Sequence, residues 1–255
     1  DNTFLQRGLD ADLFLPYQSP GLVTVPAELQ LDDQYRVTPI DFGDVCVNYW
    51  LDGLDNPPTS LDDLTDPAFA GNFVTSDPET SSPGFAFLLA TIARYGEDGW
   101  EEYWQQLADG GVTVTPGWTE AYYGEFIAGG GDKQIVTSYA SSPVAAVLFS
   151  TEPIDTPPTG VMSDGCFRQI EFAGILDGTE VEAAAQQVID FMLSETFQAD
   201  IPLNMFVAPA NAAVPLPDLY QAHAAVAENP LTLSPAEIEA NRSDWTARWA
   251  EIVLR

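Results

Sequence analysis

The stretch GWTEAYYGEF, Gly117 to Phe126, sets three aromatic rings within six positions, at Trp118, Tyr122 and Tyr123, directly after the strand-like run VTVT. Three chemistries fit these residue types. Adjacent tyrosines can ligate a hard metal. A tryptophan with a tyrosine can instead cage an organic cation, because each ring face attracts positive charge by about 0.5–2 kcal/mol. All three rings can also be core, since aromatics dominate buried apolar surface. Spacing counts against the metal, because helix neighbours at i and i+1 point apart. Trp118 directly precedes Thr119, a candidate N-cap, and so projects from the sheet edge rather than into a helix seam.

A second feature recurs. Ser81-Ser82-Pro83-Gly84, Gly117-Trp118-Thr119-Glu120 and Ser141-Ser142-Pro143 each end a strand and open a helix. Ser82 and Thr119 are the expected N-caps, and Ser142-Pro143 marks the third start. Free N–H groups at helix starts bind anions such as phosphate without any Lys or Arg. Each start alone is an ordinary cap. Three at the carboxyl ends of successive strands lie where α/β sheets bind ligands. Tyr139 flanks the third start, and Phe42 and Phe206 stand elsewhere in the chain. Trp100, Trp104, Trp245 and Trp249, at helical spacing, read as core.

Composition narrows the function classes. Thirty-nine acids face eight bases, for a net charge of −31 over 255 residues. A nucleic-acid partner, which needs a basic footprint, is excluded. Cationic ligands are favoured by long-range attraction, although acids spread along the whole chain also serve solubility or salt tolerance. No apolar run approaches the roughly eighteen residues of a membrane span. No signal peptide is visible, and the abrupt opening DNTFLQRGLD reads as a mature form or a fragment. No nucleophile elbow, phosphate loop, dinucleotide fingerprint or zinc motif occurs. The single histidine, His223, reads as a solvent-facing helix residue. Cys46 and Cys166 are too few for structural zinc. They suit one long-range disulfide in an exported protein, or two buried thiols in a cytosolic one.

The elements that must position these residues alternate between strands and helices, which argues for an α/β architecture. A strand over 34–49 bends at Asp41-Phe42-Gly43. Helices follow Ser82-Pro83, Gly99 and Thr119, and strands cover VTVT and QIVTSY. A strand at CFRQIEFAGIL then leads to one long amphipathic helix, EVEAAAQQVIDFMLSETFQADI. A proline-rich stretch and a terminal helix opening at Ser234-Pro235 complete the chain. A central block, about 50–160, is flanked by segments that could form one second lobe.

The motifs TSDPETSSPGFAFLLA, VTVTPGWTEAYYGEF, VTSYASSP and RSDWTARWAEIV, with TPIDFGDVCVNY and IPLNMFVAPAN, stand in an order and spacing that resembles thiamine-binding substrate-binding proteins of bacterial ABC transporters. The resemblance covers essentially the whole chain. It implies a two-lobed periplasmic-binding-protein fold of type II with an interlobe ligand cleft. Lobe one would be 1–49 and 160–255, lobe two 50–159, and the N-terminal part of lobe one would be missing. It implies thiamine or its mono- or diphosphate as ligand and an ABC permease as partner, with no catalysis, cofactor or metal. It also implies export to the periplasm or the extracellular side, free or lipid-anchored, and a Cys46–Cys166 disulfide. Ser81 and Trp118 would lie near the phosphate end, and Tyr139 and Phe206 would line the cleft. Ser82, Thr119, Tyr122, Ser142 and Asp41 complete the expected ligand set. The chain departs from the family at three places: a stacking tyrosine falls at Ala145, a tryptophan falls at Phe206, and Tyr123 stands as an extra residue. Two other readings compete. One is an Fe(III)-binding protein of the same superfamily using Tyr122-Tyr123. The other is a pyrimidine- or thiamine-related enzyme needing a Cys or His nucleophile.

Overall fold

The computed structural model describes residues 1–254, in two units: Asp1–Gly43 with Gln169–Ala222 (unit 1), and Asp44–Arg168 with His223 onward (unit 2). Among the described residues the strands are β1 (Phe14–Leu15), β2 (Thr38–Trp50), β3 (Phe73–Ser76), β4 (Thr113–Thr115), β5 (Ile135–Tyr139), β6 (Thr159–Ala173), β7 (Ile175–Leu176) and β8 (Ala208–Pro209). The chain passes from one unit to the other within both β2 and β6.

Unit 2 is organised by three parallel strands. β3 pairs in parallel with β4 on one side and β5 on the other, and β5 runs antiparallel to β2. Parallel strands must be covered on both faces, and alternation along the strand supplies both coverings. Phe73 and Ile135, paired in register, enter a large core with Phe87, Trp104 and Trp249. Val74 and Val136, one position on, meet Tyr122 and Phe126 instead.

Three helices close the large core. Ser82–Tyr95 is buried from Pro83 through Ile92. Its cap is Ser81, not the expected Ser82: Ser81 Oγ accepts from Gly84 N at 3.3 Å, and Ser82 is the first helical residue. Gly96, at φ 68°, ends the helix in a conformation that side chains resist. Trp100–Asp109 buries Trp100, Tyr103, Trp104 and Leu107, as the spacing predicts. Trp104 Nε1 donates to buried Thr91 Oγ1 at 2.9 Å, so the indole enters the core with its polar atom satisfied.

The terminal helix Pro235–Val253, capped by Ser234, buries Trp245 and Trp249. The Trp249 ring lies 5.5 Å from that of Trp104, edge to face. Arg248 pairs with Glu97 and Glu101 across the same helix contact. The two units divide the chain at other points than the expected lobes. The terminal helix belongs to unit 2, because its tryptophans find their apolar partners there; each such burial contributes about 2–3 kcal/mol. Residues 44–49 and 160–168 likewise join unit 2.

Two cross-links between β2 and β6 lie in unit 2. Cys46 and Cys166 form the disulfide, with Cα atoms 4.3 Å apart and 120 residues between them in sequence. Arg168 grips Asp44 with two hydrogen bonds, Nε to Oδ1 at 2.5 Å and Nη2 to Oδ2 at 2.9 Å.

Unit 1 has a smaller core, centred on Leu22, Leu29, Ile40, Ile170 and Leu193. The single long helix expected after residue 180 is three shorter ones, Glu182–Met192, Glu195–Gln198 and Ile201–Asn204. Ser194 breaks the run by capping the second, its Oγ accepting from Phe197 N. Gln198 is thereby fully buried. Its amide nitrogen donates to Ile40 O at 2.8 Å and Met192 O at 2.7 Å, and its oxygen accepts from Asn211 N at 2.9 Å.

Candidate ligand-binding site

β4, β3 and β5 run side by side in the same direction and end at Thr115, Ser76 and Tyr139. Each end leads into one of the three expected helix starts. The first two ends are tied together: Asp77 N donates to Thr115 O at 2.9 Å, and Thr80 Oγ1 to Pro116 O at 2.6 Å. At the third, Ser142 Oγ accepts from Tyr139 N at 3.2 Å and shares a 2.7 Å hydrogen bond with Ser138 Oγ. Ser138 Oγ also accepts from Trp118 Nε1 at 3.0 Å. The Trp118 indole is therefore fixed by a chain of hydroxyls.

Ser138 was not among the expected residues. The signal was present in strand alternation, since Ser138 is two positions from Val136, which faces the Tyr122 side of the sheet.

Trp118 is half-buried. Its ring stacks on Tyr122 at 5.1 Å with 23° between planes. Tyr123 and Tyr139 stand edge-on to it, at 5.5 Å and 83° and at 6.3 Å and 65°. Trp118, Tyr122, Tyr139 and Ser142 are thus gathered in one place. Ser81 lies at the end of the neighbouring strand, buried and occupied in capping.

The chain after Trp118 departs from the expected helix capped by Thr119. One α-turn, Trp118–Glu120, begins after Gly117 without a side-chain cap, and Thr119 is exposed. A wider π turn follows over Ala121–Glu125, in which Phe126 N donates to Ala121 O at 2.9 Å. The glycine run 129–131 makes this turn possible. A Cβ on Gly129 would lie 2.5 Å from Tyr123 Cα, and one on Gly131 would lie 2.0 Å from Glu125 O. Side chains at either position would push the turn away.

This geometry resists a tyrosinate–metal pair. Tyr122 is buried, and burial, reinforced by neighbouring Tyr123, pushes its hydroxyl pKa up to about 12. Tyr123 is 57% exposed. The two rings stand edge to face.

In unit 1 the structure places Asp41 and Phe206 on neighbouring segments, because Asp41 pairs with Pro209 and Phe42 with Ala208. Asp41 is buried and its Oδ1 has no hydrogen-bond partner. Burial first, and the charge of Glu171 second, push its pKa up to about 7. Phe206 is half-buried with φ 56°. A bulky residue in the left-handed region is strained, and such strain concentrates at functional positions.

Nucleophiles are scarce among the described residues. Both cysteines are in the disulfide. His223 ends the helix Asp218–His223 and is half-buried rather than solvent-facing.

Comparison with known proteins agrees with this architecture. The model of the bacterial extracellular solute-binding protein family matches residues 1–229. A thiamine-binding periplasmic protein of Escherichia coli (strain K12) is 36% identical over 256 residues, covering 100% of this chain and 75% of that protein. Among solved structures, a periplasmic thiamin binding protein superposes with a TM-score of 0.85 at 30% identity, covering 100% of this chain and 77% of that one. Iron-bound HitA from Pseudomonas aeruginosa superposes with a TM-score of 0.78 at 20% identity, covering 99% of this chain and 80% of that one; at this identity the likeness speaks for the fold alone. The α/β units joined through β2 and β6 are those of a type II periplasmic-binding protein. With a family match over 229 of its 255 residues and a relative 36% identical along its whole length, this chain belongs to the bacterial extracellular solute-binding protein family.

Proposed function

We propose that this protein captures thiamine, or its mono- or diphosphate, on the periplasmic or extracellular side and delivers it to the permease of an ABC importer. The observation that carries the reading is the aromatic cluster around Trp118 at the ends of three parallel strands. The thiazolium of thiamine is a flat aromatic cation, which ring faces attract. A net charge of −31 concentrates cations near the protein before they bind. The relatives that match the chain along its length are named for the same ligand.

A phosphorylated ligand would meet the start of the helix Ser82–Tyr95, where N–H groups accompany Ser81 and the exposed hydroxyl of Ser82. Thr119 offers a second exposed hydroxyl and Ser142 a buried one. Unit 1, taken by itself, offers a carboxyl group at Asp41 and a ring at Phe206 on neighbouring segments. The mechanism is binding alone: ligand that favours one conformation shifts the population toward it. An enzyme reading lacks a free thiol among the described residues. The iron reading is opposed by the burial of Tyr122 beside an exposed Tyr123, with the two rings edge to face.

Isothermal titration with thiamine, its two phosphates, Fe(III) citrate and spermidine tests the proposal. Saturable one-to-one binding of thiamine or a phosphate is expected. Heat only with Fe(III), accompanied by a red tyrosinate–iron absorption band, would replace this reading with the iron one.

A further inference from the structure

Tyr123 is the large aromatic of the 117–126 stretch that packing does not absorb. Phe126 is fully buried and Tyr122 nearly so, whereas Tyr123 is 57% exposed. An exposed ring alone means little. What distinguishes Tyr123 is how its backbone is held.

A π turn takes up one residue more than an α-turn, and such turns recur at functional sites. Here the wide turn at Ala121–Glu125 keeps Tyr122 stacked on Trp118 and leaves Phe126 in the core. Within this turn Tyr123 stands on the surface. Its backbone is braced by Gly129, which leaves no room for a Cβ, and by the pairing of Phe126 with Lys133. The ring is not released into solvent. It stands 5.5 Å from Trp118 at 83° and 5.2 Å from Tyr122 at 75°.

We infer that Tyr123 is a ligand-contacting residue, forming with Trp118 the corner of an aromatic cage that grips the cationic ring of the ligand. The inference rests on the functional reading above and deepens it. Two ring planes near a right angle let one cation meet both π faces, the arrangement by which aromatic cages recognise quaternary nitrogen. Tyr139, at 65° to Trp118, adds a third plane.

The test is thiamine titration of the full-length protein and three single variants, Tyr123→Phe, Tyr123→Leu and Tyr123→Ala. Because the side chain is exposed, all three are expected to fold, which circular dichroism and the melting midpoint check. A cage predicts affinity within about twofold of the parent for Tyr123→Phe, and a loss of about fivefold to thirtyfold for Tyr123→Leu and Tyr123→Ala. Parental affinity in either Tyr123→Leu or Tyr123→Ala would overturn the inference and leave the thiamine reading standing. Absence of thiamine binding in the parent itself would overturn both.

Discussion

Trp118 in unit 2 and Phe206 in unit 1 are both half-buried aromatics, and they are held by opposite means. Trp118 sits on satisfied chemistry. Its Nε1 has an acceptor in Ser138, its ring stacks on Tyr122, and its strand neighbours carry a large tryptophan-rich core. Phe206 sits on strained backbone. Its backbone is left-handed, and the nearby pair Asp41–Pro209 includes a buried carboxyl oxygen with no partner. The Trp118 surroundings are set by packing and hydrogen bonds. Those of Phe206 combine a left-handed backbone with a neighbouring carboxyl group whose pKa burial raises. The lesson is that one aromatic can be held by ordinary strand ends, while another stands on a local backbone cost that the surrounding fold offsets.

The contrast can be broken most strongly through the disulfide of unit 2. Replacing Cys46 and Cys166 by Ser is expected to lower stability by about 2–4 kcal/mol, because the bond closes a long loop. Guanidinium unfolding measures it, and an unchanged midpoint would show that unit 2 does not depend on this cross-link.

Next comes the carboxyl of unit 1. The folded pKa of Asp41, about 7, lies above its ordinary value of 3.8, so the folded state binds the extra proton between those values. Its contribution is fully present below about pH 4 and is lost as pH rises through 7. Asp41→Asn should therefore raise stability at pH 8 by on the order of 2 kcal/mol and flatten the pH profile between 4 and 8. A parallel profile in parent and variant would show that Asp41 is not the titrating group.

A third measurement returns to unit 2. Trp118→Ala should weaken thiamine binding by about tenfold to thirtyfold, by loss of the cation–π face. An affinity equal to the parent's would show that Trp118 does not contact the ligand.

The smallest effect is expected at Phe206. Phe206→Gly removes a left-handed strain of about 1 kcal/mol and also removes partly buried ring surface. Stability should stay within about 1 kcal/mol while thiamine affinity falls. A variant that loses stability and keeps affinity would show that Phe206 serves packing alone.

Much of unit 2 was legible in the residues. The helix Trp100–Asp109 and its buried face follow from spacing, and the strand–helix alternation signals α/β architecture. The three strand ends that gather Trp118, Tyr139 and Ser142 were visible as repeated small-residue starts. The caps were misread by one position at Ser82 and by two at Thr119. A run of adjacent hydroxyls does not say which side chain will reach the third N–H, and Gly117 caps without a side chain. The long helix after residue 180 was misread because apolar periodicity continues through Ser194, whose capping bond is a local event that competes with helix continuation. Amphipathic spacing reveals that a face of the terminal helix is buried and not that Trp104 and its neighbours bury it.

The sequence by itself determined the periodic elements, the acid excess that draws cations and repels nucleic acid, and the family whose motifs the chain shares. These depend on residue type and near-neighbour spacing. Only the tertiary structure decided that Ser138 holds the Trp118 indole, that Gly129 and Gly131 admit a π turn, and that this turn presents Tyr123 at right angles to Trp118. Those depend on close approach of atoms that residue type and regular spacing do not specify, where a missing Cβ or one donor–acceptor distance selects the geometry.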